Sequence, residues 1–205
     1  MHIVDGALSN TVVIAGAVAA AGGIAMGLRS LTLERIPTAG VLSASFFVAS
    51  LIYVPVGPSS VHLIMNGLAG ILLGWAAFPA LFVGLVLQAI FFGFGGLTVL
   101  GVNTVNIALP AVLVGLMLRR LVASGTPTAG AIWAGIGGAL AIALTTGVVA
   151  ISLAASGDEF IPAAKLVFFA HIPVMVIEGL LTGFAILLAR KVKPELFETA
   201  KGVTA

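Results

Sequence analysis

The chain has no cysteine. That excludes disulfides, iron–sulfur clusters and thiolate metal sites, so any metal it holds must be bound through nitrogen or oxygen. Charge is scarce too: only 8% of the 205 residues are Asp, Glu, Lys or Arg, against about 25% in a soluble domain. So few charges could not keep the surface of a folded monomer in water. With one Tyr and two Trp, there is little to line a pocket for an organic vitamin. No Gly-x-x-x-x-Gly-Lys-Ser/Thr run is present, so the chain is not itself an ATPase. No Gly-x-Ser-x-Gly element is present either, which argues against a membrane-embedded hydrolase. The first basic residue is Arg29, so a secretory signal with a positive leading segment is missing, and the mature protein is expected to begin at Met1. The few basic residues lie at the ends of apolar runs, and a net charge of +2 makes no case for nucleic acid.

What remains is apolar: 60% of the residues. At about 20 residues per span, the chain has room for about seven spans and no separate soluble domain. The expected fold is an all-α integral membrane protein, one domain over residues 1–205. Residues 1–10 form an N-terminal loop, 11–189 a helical bundle and 190–205 a polar cytoplasmic tail. Hydropathy sets the spans at Thr11–Leu28, Thr38–Val54, His62–Ala77, Ala80–Phe92, Thr104–Leu118, Ala129–Leu153 and Lys165–Ala189. Orientation follows from the positive-inside rule. With the N-terminus outside and the C-terminus cytoplasmic, the cytoplasmic loops and tail hold Arg29, Arg35, Arg119, Arg120, Arg190, Lys191, Lys193 and Lys201, leaving Lys165 outside beside Asp158 and Glu159. A multi-pass protein of the cell's plasma membrane is implied. The Gly- and Ala-rich interiors of Gly16–Gly27 and Ala129–Gly147 allow helices to approach closely.

Polar chemistry gathers at the outer end. His2 and Asp5 lie in the N-terminal arm, His62 opens the third span, and Asn103 and Asn106 lie beside the run Gly93–Asn103. His171 falls about two turns below the outer end of the seventh span, where it is either part of this polar layer or a core histidine bonded to Asn106 or to a backbone carbonyl. A histidine at position two is chemically special. The α-amine, the next backbone amide nitrogen and the imidazole can close fused five- and six-membered chelate rings around one ion. A fourth nitrogen, most simply from His62, would complete a square plane, a geometry typical of Ni(II) and Cu(II). Both imidazoles must be neutral to bind, so affinity is expected to fall below about pH 6. Glu178 sits near mid-depth of the last span, where a carboxylate costs on the order of 2.5–3.5 kcal/mol. A structural or gating role is expected for it, as a protonated acid or paired with a polar group such as Gln88. A passive metal channel would show a line of polar groups through the bilayer, and by sequence Glu178 and Gln88 stand nearly alone.

The opening Met1-His2-Ile3-Val4-Asp5-Gly6-Ala7-Leu8-Ser9 resembles the start of the CbiM/NikM family, the substrate-binding membrane (S) components of cobalt and nickel energy-coupling factor transporters. Ser60-Val61-His62, the run Phe92–Asn103, and Phe169-Ala170-His171 continuing to Glu178-Gly179 resemble the same family in the same order. The resemblance implies a seven-helix subunit whose N-terminus folds in to chelate Co²⁺ or Ni²⁺ as transported substrate, with no organic cofactor. Its ligands would be the Met1 amine, the His2 amide and imidazole, and His62. Asn103, in the loop before the fifth span, His171 and Asp5 would hold the N-terminal loop in place. It also implies partners: a transmembrane coupling (T) component, two cytoplasmic ATPase subunits and a small accessory membrane protein. The acidic residue of some relatives' Gly-rich loop is missing here, where Gly93-Phe94-Gly95 stands. The short, unfused chain is more like the cobalt members.

Overall fold

The computed structural model describes residues 2–51, 53–56 and 59–197. Met1 and the last part of the tail, including Lys201, lie outside the described residues. Eight α-helices are present among these residues: α1 (Asn10–Ser30), α2 (Ile36–Ala49), α3 (Asn66–Leu73), α4 (Ala77–Phe92), α5 (Leu100–Ala123), α6 (Pro127–Ala154), α7 (Ile161–Ala170) and α8 (Ile172–Val192). Strands β1 (Tyr53–Val56) and β2 (Ser59–His62) pair antiparallel between α2 and α3. The outward faces of the helices carry large exposed side chains such as Ile14, Val18, Phe91 and Phe184, as expected of helices solvated by lipid.

The chain passes through the bundle seven times. The turn after α1 delivers α2 at the same end, and α2 and α4 run side by side in parallel, Gln88 donating to the Ser50 hydroxyl near their far ends. Between them, α3 descends from the hairpin to the end where Arg35 donates to the Leu72 carbonyl at 2.7 Å. Gly74, at φ 58° and ψ −127°, turns the chain back into α4. So α3 and α4 are two passes, although α3, with 8 residues, is only about 12 Å long. The non-helical segment Leu63–Met65 supplies the rest of that descent. α5 and α6 complete the core, and α7–α8 make the last pass.

Local sequence explains the ends. Pro37, Pro127, Pro162 and Pro173 lie in the first turns of α2, α6, α7 and α8, where a missing N–H costs nothing. Pro173 also breaks the last pass: it cannot donate to Phe169, so the helix stops at His171 and restarts as α8. Gly93, at φ +65°, ends α4 in the left-handed conformation that glycine favours. α3 and α5 touch backbone to backbone, since a Cβ added at Gly70 would overlap the Ala111 carbonyl.

Several expected boundaries shift. His62 is not at a helix end: Tyr53–Val56 and Ser59–His62 pair as strands, Pro55 and the β-branched residues beside it being unable to continue α2, and the helix begins at Asn66. The fifth span starts at Leu100, so Asn103 stands in the first turn of α5 rather than in a loop. α8 runs to Val192, and a further turn, Pro194–Phe197, buries Phe197 against the bundle.

Basic residues collect at one end. Arg29, Arg120, Arg190 and Lys191 occupy the last turns of α1, α5 and α8, where cations meet the negative ends of helix dipoles. The histidines lie towards the opposite end.

Candidate metal site

The site is built by folding the N-terminal arm onto three elements. Asn103, presented by the first turn of α5, clasps Ile3 as a strand would. Its Oδ1 accepts from the Ile3 N–H at 2.9 Å and its Nδ2 donates to the Ile3 carbonyl at 3.0 Å. The Asp5 N–H donates to the Gly95 carbonyl at 2.9 Å. The Asp5 carboxylate accepts from the Thr98 hydroxyl and from the Thr98 N–H at 3.2 Å. A side chain at Gly96 would overlap that carboxylate. The Gly-rich loop has no charge of its own, and the arm supplies one. Ile3 itself is fully buried, so the arm is also pinned by apolar packing.

The hairpin brings the second imidazole. Along a strand, alternate residues share a face, so Ser60 and His62 of β2 both turn to the arm. The His2 N–H donates to the Ser60 hydroxyl at 3.3 Å, and the His2 ring stacks on His62 with centroids 4.6 Å apart and planes 21° apart. Phe94 stacks on His2's ring as well, at 5.9 Å, and Tyr53 meets Phe94 edge-on at 4.5 Å. A cavity of about 250 Å³, lined by residues including His2, Ser59, Ser60, Tyr53 and Phe94, opens beside the rings.

The nitrogen chemistry follows from the partners. The Nδ1 of His62 lies 2.8 Å from the Leu63 carbonyl. A carbonyl only accepts, so that nitrogen carries the proton and Nε2 keeps the lone pair. Neither ring nitrogen of His2 has a hydrogen-bond partner among the described residues, although the ring is buried. Burial pushes both imidazoles well below the ordinary histidine value, so both are neutral at neutral pH. Buried polar atoms in folded proteins are nearly always satisfied. A neutral, buried imidazole with two unsatisfied nitrogens beside a second imidazole is a donor set that lacks its acceptor, as a cation site does.

The remaining predicted residues divide. Asp5 lies in the arm, and Asn103, on α5, bonds to it at Ile3. Met1 lies outside the described residues. His171 is buried at the α7–α8 junction, its Nδ1 donating to the Val167 carbonyl at 2.6 Å. Among the described residues no hydrogen bond ties it to the arm, and α7 packs against both strands of the hairpin. Asn106 is not its partner, since Asn106 Oδ1 accepts from Ser152 at 3.1 Å. Gln88 does not reach Glu178 either, being bonded to Ser50.

Glu178 turns out to hold the descending segment. Its Oε1 accepts from the Ile64 N–H and from the Met65 N–H at 2.8 Å. Met65 is the one non-glycine residue with positive φ among those described, at 56°. Nor is Glu178 nearly alone: the interior also buries Asn66, bonded to Thr145 at 2.8 Å and to the Ile107 carbonyl at 2.9 Å. Ser60, Thr98 and the aromatic wall of Tyr53 and Phe94 were given no role by sequence. An alternating strand reading of residues 59–62 would have placed Ser60 on His62's face.

Fold and site together define a multi-pass membrane protein with a nitrogen-rich pair of imidazoles buried under its N-terminal arm. The chain belongs to the CbiM family, described as the cobalt uptake substrate-specific transmembrane region, which it matches over residues 2–196. It is 40% identical over 198 residues to a Haemophilus influenzae protein provisionally named a metal transport protein, covering 96% of each chain. It is 28% identical over 173 residues to the cobalt transport protein CbiM of Sorangium cellulosum, covering 79% of this chain and 76% of that one. Over 82 residues it is 42% identical to the fused nickel transport protein NikMN of Rhodobacter capsulatus, covering 39% of this chain and 24% of that one. The crystal structure of a truncated transition metal transporter superposes with a TM-score of 0.74 at 26% identity, covering 93% of this chain and 99% of that one.

Proposed function

We propose that this chain is the substrate-binding membrane (S) component of an energy-coupled importer for Co²⁺ or Ni²⁺. The ion is held at the outer face by the Met1 amine, the His2 amide nitrogen and imidazole, and Nε2 of His62. The observation that carries the reading is the buried His2 ring, unsatisfied at both nitrogens and stacked on His62. Membership of the cobalt uptake family supports it. The basic residues gathered at the opposite end support an external site, because positive charge stays on the cytoplasmic side.

Without a nucleotide-binding motif of its own, the chain takes its energy from partners: a transmembrane coupling component and two cytoplasmic ATPase subunits, with a small accessory membrane protein. The subunit captures the ion outside and reorients within the complex to release it inside. Cobalt is placed before nickel because the family is described by cobalt uptake.

Metal-dependent thermal stabilisation of the purified protein tests this reading. Co²⁺ or Ni²⁺ should stabilise the native chain, and acetylating the Met1 amine, which removes its lone pair, should abolish the effect. Stabilisation that survives the acetylation sinks the chelate.

A further inference from the structure

Metal-binding histidines commonly present their second nitrogen to a carboxylate or carbonyl, which fixes the ring and raises its basicity. In this chain the two are joined in series through a single peptide group. The Leu63 carbonyl, which accepts from Nδ1 of His62, and the Ile64 N–H, which donates to Glu178, belong to the same planar amide. A carboxylate pulling on the N–H of an amide polarises its carbonyl, and a more negative carbonyl grips the imidazole proton more strongly. The peptide plane cannot twist, so fixing one edge fixes the other.

We propose that Glu178 is a positioning residue for the metal site, acting on His62 through the Leu63–Ile64 peptide. The proposal rests on the reading of His62 as a ligand. Three further observations support it. Glu178 is fully buried and its Oε2 has no partner among the described residues, so its polar contacts there are spent on this one segment. A second bond from the same oxygen holds Met65, the residue whose left-handed backbone turns the chain from the hairpin into α3, and such conformations persist where their surroundings hold them. The carrier is firmly seated: a Cβ added at Gly138 of α6 would overlap the Glu178 carbonyl, so α8 lies against α6 at this turn with no space to slide. The depth of α8 in the bundle therefore sets the height and orientation of the His62 imidazole. Movement of α8 would be felt at the ligand.

The test is a double-mutant cycle on the full chain in detergent, with NiCl₂ as the probe and affinity read by calorimetry. Glu178→Leu should weaken Ni²⁺ by about 10–100-fold, the usual effect of removing a group that orients a metal ligand. Glu178→Gln, which keeps the oxygen acceptor but not its charge, should fall between the two. In the His62→Ala background the same Glu178 substitutions should cost nothing further, because the group through which they act is gone. The ligand-field spectrum of bound Ni²⁺ should shift in Glu178→Leu towards that of His62→Ala. Native affinity in Glu178→Leu overturns the proposal, and so does a loss that adds in full to that of His62→Ala. If Glu178→Leu does not fold, the Gln arm completes the cycle. Should His62→Ala itself leave Ni²⁺ affinity unchanged, the ligand assignment fails, a result distinct from the failure of Glu178 alone.

Discussion

The two ends of the bundle treat backbone polarity in opposite ways. At the basic end, Arg190 of α8 reaches across and donates to the carbonyls of Ala123, Ser124, Gly125 and Thr126, at 2.8–3.3 Å. These carbonyls run from the end of α5 to the start of α6, and a cation spans them. At the histidine end the arm is held by neutral groups and one exposed carboxylate: Asn103, Ser60 and, on Asp5, Thr98. No Lys or Arg reaches those residues among the bonds formed there, and the nitrogens of His2 are left over. One end brings its own cations to its acceptors. The other, among the described residues, leaves the two nitrogens of His2 without a partner beside His62, which is the arrangement the proposed cation site would use.

The largest effect should come from breaking the histidine end itself. His2→Ala removes a ligand and leaves the arm's clasp at Ile3 untouched. Ni²⁺ affinity, read by calorimetry, should fall at least about 100-fold, since each tenfold loss is about 1.4 kcal/mol. A fall of only a few-fold would return His2 to a packing role. Next is Asn103→Ala, which removes both bonds to Ile3. The remaining Ile3 N–H and carbonyl, once buried and paired, would cost about 1–3 kcal/mol each if they stayed buried. The arm should instead detach, giving about 10–100-fold weaker Ni²⁺ and faster amide exchange at residues 2–5, measurable by mass spectrometry. Exchange unchanged from the native protein would show that apolar burial of Ile3 suffices to seat the arm.

Much of this was readable from residues, and the misses share a cause. Charge and hydropathy fixed seven passes and the basic end because a bilayer penalises charge along the whole length of a helix. The short α3 was found as a pass even though only its lower part is helical. The hairpin was missed because Tyr53–His62 is a handful of residues whose period-two pattern is hidden in an apolar stretch. That one miss placed His62 at a helix end and concealed Ser60. Asn103 was named, but its clasp on Ile3 joins residues 100 apart in sequence, and spacing carries no information about such a bond. Glu178 stood out as a mid-span carboxylate. Its partners are backbone N–H groups of Ile64 and Met65, which no side-chain motif announces.

A smaller effect is expected from the opposite end. Arg190→Ala should lower the thermal midpoint of the metal-free protein, the bonds being partly exposed and worth about 1 kcal/mol together after solvent screening. Ni²⁺ affinity should not change. A loss of affinity in this variant would mean that the two ends are coupled through α8, and would remove the contrast between a structural end and a binding end.

The finest distinction concerns pH. At the proposed chelate, binding would displace one amide proton and, where the amine is protonated, one amine proton. An imidazole adds a third only where it is protonated. An exposed imidazole would begin to do so below about 6.5, which is the basis of the expected fall near pH 6. Burial pushes His2 and His62 well below that value, so protons compete for them only at lower pH. Between pH 6 and 7, affinity for Ni²⁺ should therefore change by about two decades per pH unit rather than three, and His62→Ala should share that slope. The metal-free protein follows the same sign. As pH falls below about 6.5 the unfolded chain takes up protons that the folded chain refuses, so the stability due to these rings is complete above that value and declines below it. A slope of three, or a slope that drops by one in His62→Ala, would place an ordinary, solvated histidine in the site.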